Sequence, residues 1–288
     1  MKTNKLILGT VQFGLNYGIN NTSGKPSQDE VNSILTVAYQ SGIRCLDTAE
    51  AYGNAHEVIG TYHLQHPEHR FDVITKLPHQ IDAKLINIEK YLQQLHVSQL
   101  ESLLFHSYES YQQHIEIIPK LKSYKLEGKI KYIGVSTYTN AQIAEVINDD
   151  DIDIIQHPFN LFDNLSQRGE ILIQAKKRGK IIHTRSAFLQ GLFFTAPTAT
   201  SKIVNSLQKE LSLIRELAND YGISIQKLAL NYCLQQKLID NVLIGIDNVS
   251  QLLQNIDDTD FMLSEDIMQE VDRIAIKNGD LLNPSLWN

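Results

Sequence analysis

The segment RCLDTA (44–49) decides the fold, because later segments repeat its pattern of a short apolar run joined to a polar residue. Three segments share this pattern: DVITKL (72–77), SLLFHS (102–107) and YIGVST (132–137). The polar residues at equivalent points are Asp47, Lys76, His106 and Ser136, separated by 29, 30 and 30 residues. That interval is about one strand–helix unit, so the four segments are predicted to be consecutive parallel strands.

The same alternation of strand-like and helix-like segments extends in both directions along the chain. The eight candidate strands are 6–12, 44–49, 72–77, 102–107, 132–137, 154–159, 181–187 and 241–246. Candidate helices lie at 27–42 and near 82–95, 111–127, 139–148, 166–178, 203–221, 224–236 and 250–256. Such alternation indicates a parallel sheet covered by helices, in the α/β class.

The regular spacing favours a closed (β/α)8 TIM barrel over a doubly wound sheet. A doubly wound sheet is expected to carry a glycine-rich phosphate turn after its first strand, and the glycines of LGTVQFGLNYG have the wrong spacing for one. No linker or low-complexity tract divides the chain, so residues 1–288 are predicted to form a single domain. A further helix from Ser264 and an irregular tail complete the chain.

Composition limits the possible partners. The net charge is −7 and the basic residues are scattered, which argues against nucleic acid as a partner. No run approaches the roughly 18 apolar residues of a membrane span. The two cysteines, Cys45 and Cys233, lack the paired spacing of a metal or redox motif and are expected to be free thiols. We therefore expect a cytoplasmic protein, monomeric or weakly homo-oligomeric, that acts on a small molecule.

Polar residues at strand ends are the candidates for chemistry, because ligands bind at the carboxyl ends of barrel strands. Tyr52 follows Asp47 by five residues and is predicted to lean over the same opening. A tyrosine is a poor acid at neutral pH unless a cation favours its anion, and Lys76 is placed to be that cation. His106 can donate a hydrogen bond to the same substrate oxygen as Tyr52. This set suits protonation of a carbonyl oxygen while a cofactor supplies hydride.

Two other chemistries are compatible with the same strand ends. Lys76 is able in principle to form a Schiff base in aldol chemistry, with Asp47 beside it. A metal hydrolase would use Asp47, His106, His157 and His183 as ligands, but the paired histidines that open many such barrels are missing. No metal is therefore predicted.

Six motifs resemble the aldo-keto reductase superfamily in order and spacing over residues 6 to 256: LDTAEAYGNAHEVIG, ITKLP, LLFHSY, IGVSTY, IIQHPFN and RSAFLQGLF. The resemblance implies a (β/α)8 barrel that binds NADP or NAD without a Rossmann fold and reduces a small-molecule carbonyl. It implies a catalytic set of Asp47, Tyr52, Lys76 and His106, with Tyr52 as the general acid. Some relatives bind cofactor mainly as regulatory modules, which leaves a subunit with little turnover as an alternative.

The resemblance also implies the cofactor-binding residues: Ser136 and Gln156 for the nicotinamide carboxamide, then Arg185, Ser186 and Gly191, and at the adenosine end Gly245, Asp247, Gln251 and Asn255. Arg185 departs from the family pattern, which usually has an aromatic ring there to stack on the nicotinamide. The adenosine-end segment departs too, because Asp247 stands where NADP-selective members carry basic residues nearby. The cofactor is therefore predicted only as NADP or NAD.

Substrate specificity in this architecture comes from loops, here 16–27, 194–203 and the tail. They contain Asn16, Tyr17, Asn20, Asn21 and Trp287, polar and aromatic groups that suit a sugar-like ligand. The opening LGTVQFGLNYGINN also resembles family members linked to polysaccharide synthesis. We therefore expect a sugar-like carbonyl substrate.

Overall fold

The computed structural model describes residues 3–18, 24–81, 86–196, 199 and 201–287. Eight parallel strands form a closed barrel in chain order, and the last strand pairs with the first. The strands are β1 Leu6–Gly9, β2 Cys45–Asp47, β3 Asp72–Lys76, β4 Leu100–Phe105, β5 Ile130–Ser136, β6 Ile154–Pro158, β7 Ile181–Arg185 and β8 Asn241–Gly245. The predicted (β/α)8 barrel is confirmed, with each strand inside or overlapping its predicted segment.

Helices follow the strands and cover the outside of the barrel. Those described are α1 Val11–Gly14, α2 Gln28–Gln40, α3 Ala55–Gln65, α4 Ile88–Leu95, α5 Tyr108–Gln113, α6 Ile118–Leu126, α7 Asn140–Val146, α8 Leu165–Lys177, α9 Lys202–Ser206, α10 Gln208–Asp220, α11 Ile225–Leu234, α12 Val249–Asp258 and α13 Glu265–Asp272. A capping box of Ser27 and Glu30 starts α2, and Ser264, the predicted start of the last helix, caps α13. None of the helices in the described ranges is long and apolar enough to cross a bilayer.

The first strand is shorter than the predicted 6–12, since β1 ends at Gly9. The backbone N–H and the hydroxyl of Thr10 both donate to the carbonyl oxygen of Asp47, each at 3.0 Å. These bonds hold Thr10 against β2, and its dihedral angles, φ −119° and ψ 15°, turn the chain into α1. The prediction of strand structure up to residue 12 was therefore wrong at its end.

Two helices predicted as continuous are each broken in two. The helix predicted at 111–127 is replaced by α5 and α6, with Pro119 in the first turn of α6. Proline has no N–H to donate to the preceding turn, so it is compatible with a helix start but not with a helix interior. The helix predicted at 203–221 breaks at Leu207, which leaves helical dihedral angles and is buried. Residues 82–85 of the helix predicted near 82–95 lie outside the described residues.

Helix α3 was not predicted, although it follows the strand that decides the fold. Its interior contains Gly60, a residue that disfavours helix by about 1 kcal/mol relative to alanine. The glycine is needed because a Cβ atom there would lie 1.8 Å from the carbonyl oxygen of Gln94 in α4. Close packing of two helices therefore outweighs local helix propensity at this position.

Alternate residues of each strand point into the barrel, so residues two apart on a strand lie on the same face. Ile7, Ile74, Leu104 and Leu243 pack together as a separate inner cluster of the barrel. Lys76 lies two residues beyond Ile74 on the same strand, so its side chain is on the same face. The apolar layer closes the interior, and the strand ends above it carry the polar groups.

Candidate active site

A cavity of about 490 Å³ opens at the carboxyl end of the strands. All thirteen residues predicted for the site line it: Asp47, Tyr52, Lys76, His106, Ser136, Gln156, Arg185, Ser186, Gly191, Gly245, Asp247, Gln251 and Asn255. They come from seven strands, the loops that follow these strands, and helix α12. The structure thus brings the predicted catalytic and cofactor residues to one place, while their roles remain predictions.

Asp47 is the centre of the polar network at the floor of the cavity. One carboxylate oxygen pairs with the ammonium group of Lys76, and the other accepts a 2.9 Å bond from the amide nitrogen of Gln156. Lys76 also donates to the carbonyl oxygen of Thr48 at 3.2 Å. Asp47 and Lys76 are each only 2% exposed, so this ion pair is buried.

The charge state of Lys76 follows from this environment. Burial is the largest single cause and by itself lowers the pKa of Lys76. The charge of Asp47, helped by its hydrogen bond, opposes burial, and the net pKa of Lys76 is raised above its usual value. Lys76 therefore stays protonated and presents a fixed cation to its neighbours.

Tyr52 lies in the loop after β2, half-buried against the core. The ammonium nitrogen of Lys76 is 5.4 Å from the centre of its ring, and the ring of His106 meets it edge-on at 5.8 Å. Its backbone N–H donates to the carbonyl oxygen of Ala49, and its own carbonyl oxygen accepts from the N–H of Ala55. The phenol is thus held next to a cation by a backbone fixed on both sides.

Two glycines allow this loop to lie directly against α1. A Cβ atom on Gly14 would be 1.7 Å from the carbonyl oxygen of Tyr52. On the other side, Gly53 has a left-handed backbone, with φ of 58°, and a Cβ atom there would lie 2.6 Å from the carbonyl oxygen of Gly14. The backbone position of Tyr52 therefore depends on both glycines.

We expect Gly14→Ala to displace the Tyr52 loop. The added methyl group cannot fit against a backbone carbonyl, so we expect a loss of about 1 to 3 kcal/mol in the free energy of unfolding. Turnover should fall by at least about 10-fold, since small displacements of reacting groups are costly. Gly169→Ala is the matched control: it lies within helix α8, with the nearest side-chain atom 4.0 Å from the added Cβ. Denaturant unfolding and turnover measure both effects, and equal behaviour of the two variants would contradict this view of the loop.

His106 is neutral in this site. Burial is the largest cause, followed by the positive charge of Lys76, and together with smaller contributions they lower the pKa of His106 to about 3. The exposed ring of His79 stacks on the His106 ring at 4.3 Å. A neutral imidazole carries one N–H, so His106 can donate a single hydrogen bond at physiological pH.

The predicted cofactor side of the cavity begins at Ser136 and Gln156, which are paired neighbours on β5 and β6. The amide nitrogen of Gln156 is used by Asp47, but its buried amide oxygen has no partner within the described ranges. A buried acceptor without a donor is costly, and a carboxamide N–H₂ group would satisfy it. These residues therefore fit the nicotinamide carboxamide expected from the sequence.

The loop after β7 forms the rim of the cavity with an unusual backbone. Ser186, Leu189 and Gln190 have positive φ angles although none is glycine, and Gly191 follows with φ of 87°. Such conformations cost about 1 to 3 kcal/mol each and cluster at ligand-binding segments. The side chain of Gln190 donates to the hydroxyl of Tyr17 at 2.8 Å, which joins this loop to the loop after α1.

The opposite end of the cavity is built on α12. Asn248 caps the helix by accepting from the N–H of Gln251. The side chain of Gln251 accepts from the backbone N–H of Asp247 and donates to its carboxylate. One carboxylate oxygen of Asp247 is buried and without a partner in the part of the chain that the structure describes. Asn255 accepts a 2.9 Å bond from Gln226. The predicted adenosine end thus presents a free acceptor.

Several residues that line the cavity were missed by sequence reasoning: Gln12, Tyr138, Phe188, Gln190, Phe194 and Gln226. Tyr138 could have been predicted, because it comes two residues after Ser136 at the end of the same strand. Gln226 could not, because it lies on a helix and the prediction considered strand ends. Of the predicted specificity residues, Tyr17 lines the cavity. Asn20 and Asn21 lie outside the described residues, as do residues 197, 198 and 200 of the loop 194–203.

The tail was expected to contribute to substrate specificity through Trp287, which does not line the cavity. The indole N–H of Trp287 donates to the carbonyl oxygen of Leu281 at 3.0 Å, which folds the tail on itself. No described residue beyond Asn255 lines the cavity.

The metal-hydrolase set does not assemble. The atoms of Asp47, His106, His157 and His183 do not form a ligand cluster in the described ranges, where the cluster found is His66, Glu68 and His69. That cluster lies between α3 and β3, at the opposite end of the barrel from the cavity. His157 instead bonds the carbonyl oxygen of Pro158 through its Nδ1 atom.

Comparison with known proteins places this chain in one family. A model of the Aldo/keto reductase family matches residues 5–276. L-galactose dehydrogenase of Arabidopsis thaliana is 26% identical, with 87% of this chain and 84% of that protein covered. The NADH-specific methylglyoxal reductase of Escherichia coli (strain K12) is 23% identical, with 84% and 88% covered. A Bacillus halodurans aldo-keto reductase in its holo form has the same fold, with a TM-score of 0.77, 20% identity, and 95% of this chain and 93% of that chain covered. The chain belongs to the aldo/keto reductase family and is an oxidoreductase.

Proposed function

We propose that this protein reduces an aldehyde or ketone to an alcohol with NADH or NADPH, and that Tyr52 donates the proton. The observation that carries the proposal is the convergence of Tyr52, protonated Lys76 and neutral His106 on one cavity, beside an unpaired amide oxygen of Gln156. The whole chain, residues 1–288, is proposed to act as one barrel domain.

The roles of the residues follow from their charges. His106 and Tyr52 each donate a hydrogen bond to the carbonyl oxygen, which polarises the carbonyl. A nicotinamide cofactor held by Ser136 and Gln156 would supply the hydride for the carbonyl carbon. Tyr52 then transfers its phenolic proton to the oxygen, and the cation of Lys76 stabilises the tyrosinate that remains. Asp47 keeps Lys76 charged and in place.

Schiff-base chemistry at Lys76 fits this environment less well. A lysine must lose its proton before its amine can attack a carbonyl. The buried pair with Asp47 raises the pKa of Lys76, so it opposes this step. A regulatory subunit would bind cofactor without turnover, and a steady-state assay distinguishes it from the proposed enzyme.

We expect the protein to bind NADH at least about 10-fold more tightly than NADPH. The unpartnered oxygen of Asp247 can accept from a ribose hydroxyl, and the same carboxylate repels a 2′-phosphate. Asp247→Asn removes the repulsion and should bring the two affinities closer together. The exposed Asp280→Asn is the control for loss of charge. Fluorescence titration with both cofactors measures the ratio, and tighter binding of NADPH by the unaltered protein would overturn this assignment.

The substrate class is proposed from the cavity lining. Tyr17, Gln190 and Tyr138 put polar groups and aromatic faces at the mouth, a combination that suits a hydroxylated, sugar-like carbonyl compound. A relative named L-galactose dehydrogenase supports this class. A panel of aldehydes, ketones and keto-sugars, followed at the absorbance band of the reduced cofactor, is the test. Failure to bind either cofactor would overturn the proposed function.

The compartment and the oligomeric state are proposed as well. Cys45 and Cys233 are free thiols, which fits the reducing environment of the cytoplasm. We propose a monomer or a weak homo-oligomer.

A further inference from the structure

Arg185 ends β7 and is held flat at the wall of the cavity. Its guanidinium carbon lies 4.2 Å from the centre of the Tyr138 ring, a stacking distance for a cation on an aromatic face. One of its nitrogens donates to the carbonyl oxygen of Thr137 at 3.3 Å. A plane fixed by one ring and one hydrogen bond has a defined second face.

The charge of Arg185 is not neutralised by a partner within the described ranges, where no carboxylate lies within ion-pair distance of it. By contrast, Lys76 in the same cavity is paired with Asp47. The field of Arg185 reaches the catalytic residues, since it contributes to lowering the pKa of His106, after burial and the charges of Lys76 and His79. Arg185 thus adds an uncompensated positive charge to the cavity wall.

Its position relative to the cofactor follows from the neighbouring strands. Ser136 and Gln156, the proposed carboxamide ligands, stand on β5 and β6, and β7 pairs with β6 next to them. Thr137, which anchors the guanidinium, directly follows Ser136. A nicotinamide ring held by Ser136 and Gln156 would therefore lie beside Arg185.

We propose that Arg185 makes this site selective for the reduced over the oxidised cofactor, with Tyr138 as its positioning residue. The inference rests on the proposed function and adds a preferred redox state to it. The reduced nicotinamide ring is neutral and electron-rich, so a flat guanidinium can stack on it. The oxidised ring carries a positive charge and is repelled by the fixed cation.

The consequence is a difference in affinity that does not depend on turnover. We expect the unaltered protein to bind the reduced form at least about 10-fold more tightly than the oxidised form of the same nucleotide. Arg185→Gln should reduce this ratio by about 10-fold, equivalent to about 1.4 kcal/mol, mainly through tighter binding of the oxidised form. Arg185→Lys retains the charge and should keep most of the ratio.

The experiment titrates NAD⁺ and NADH, and separately NADP⁺ and NADPH, into each variant by calorimetry. Tyr138→Leu removes the platform and should give an intermediate ratio, because the guanidinium stays charged but loses its fixed plane. Arg178→Gln, an exposed position at the end of α8, is the matched control for loss of a guanidinium and should leave the ratio unchanged. Circular dichroism checks that each variant is folded.

The outcomes separate the two proposals. If the unaltered protein binds neither nucleotide, the proposed function fails and this inference fails with it. If cofactor binds but Arg185→Gln weakens both redox forms equally, Arg185 serves as an anion ligand and this inference alone is overturned. An unchanged ratio in Arg185→Gln overturns it as well.

Discussion

Tyr52→Phe is expected to lower turnover by at least about 100-fold, the usual contribution of a positioned general acid. The change removes one hydroxyl group and leaves the ring between Lys76 and His106 in place. The backbone bonds that hold the loop involve the main chain of Tyr52 and are not affected. Cofactor affinity and unfolding free energy should therefore stay close to those of the unaltered protein.

The matched control for this prediction is Tyr221→Phe, which removes a hydroxyl from an exposed tyrosine just after α10. Steady-state kinetics with the best substrate of the carbonyl panel give the comparison. Near-normal turnover in Tyr52→Phe would show that another group donates the proton. A loss of cofactor binding in that variant would instead place Tyr52 in the binding site.

The strand ends of this barrel were predictable because parallel strands obey two simple periodicities. Residues two apart in a strand share a face, and equivalent points of successive units recur after about 30 residues. These rules alone bring Asp47, Lys76 and His106 to the same end of the barrel. Tyr52 was found by its distance from Asp47 and by the resemblance of its motif.

The loops were harder to predict because their conformations depend on contacts that are distant in the sequence. The bond between Tyr17 and Gln190 joins residues 173 positions apart. The stacking of Arg185 on Tyr138 likewise joins the end of β7 to the loop after β5. No local sequence pattern predicts such contacts. The glycine in α3, Gly60, lowers the local helix propensity, so this helix, which tertiary packing stabilises, was not predicted.

Asp47→Asn is expected to lower both stability and turnover. The variant leaves the buried ammonium group of Lys76 without its carboxylate, and breaking a buried pair by removing one partner typically costs about 3 to 5 kcal/mol. Asp47 is the largest of the causes that raise the pKa of Lys76 against the effect of burial. Without its carboxylate, the pKa of Lys76 should fall. A neutral lysine no longer stabilises the tyrosinate, and turnover should drop by at least about 100-fold.

Stability and catalysis can be separated by a second substitution. In Asp47→Asn/Lys76→Met no buried charge is left unpaired, so most of the lost unfolding free energy should return while turnover stays low. Asp151→Asn is the matched control, since it breaks the exposed 2.7 Å pair with Lys122 and should cost no more than about 1 kcal/mol. Denaturant unfolding and kinetics at pH 7 measure these effects. Full recovery of turnover in the double variant would mean that the pair is structural, because an enzyme that depends on the Lys76 cation cannot work without it.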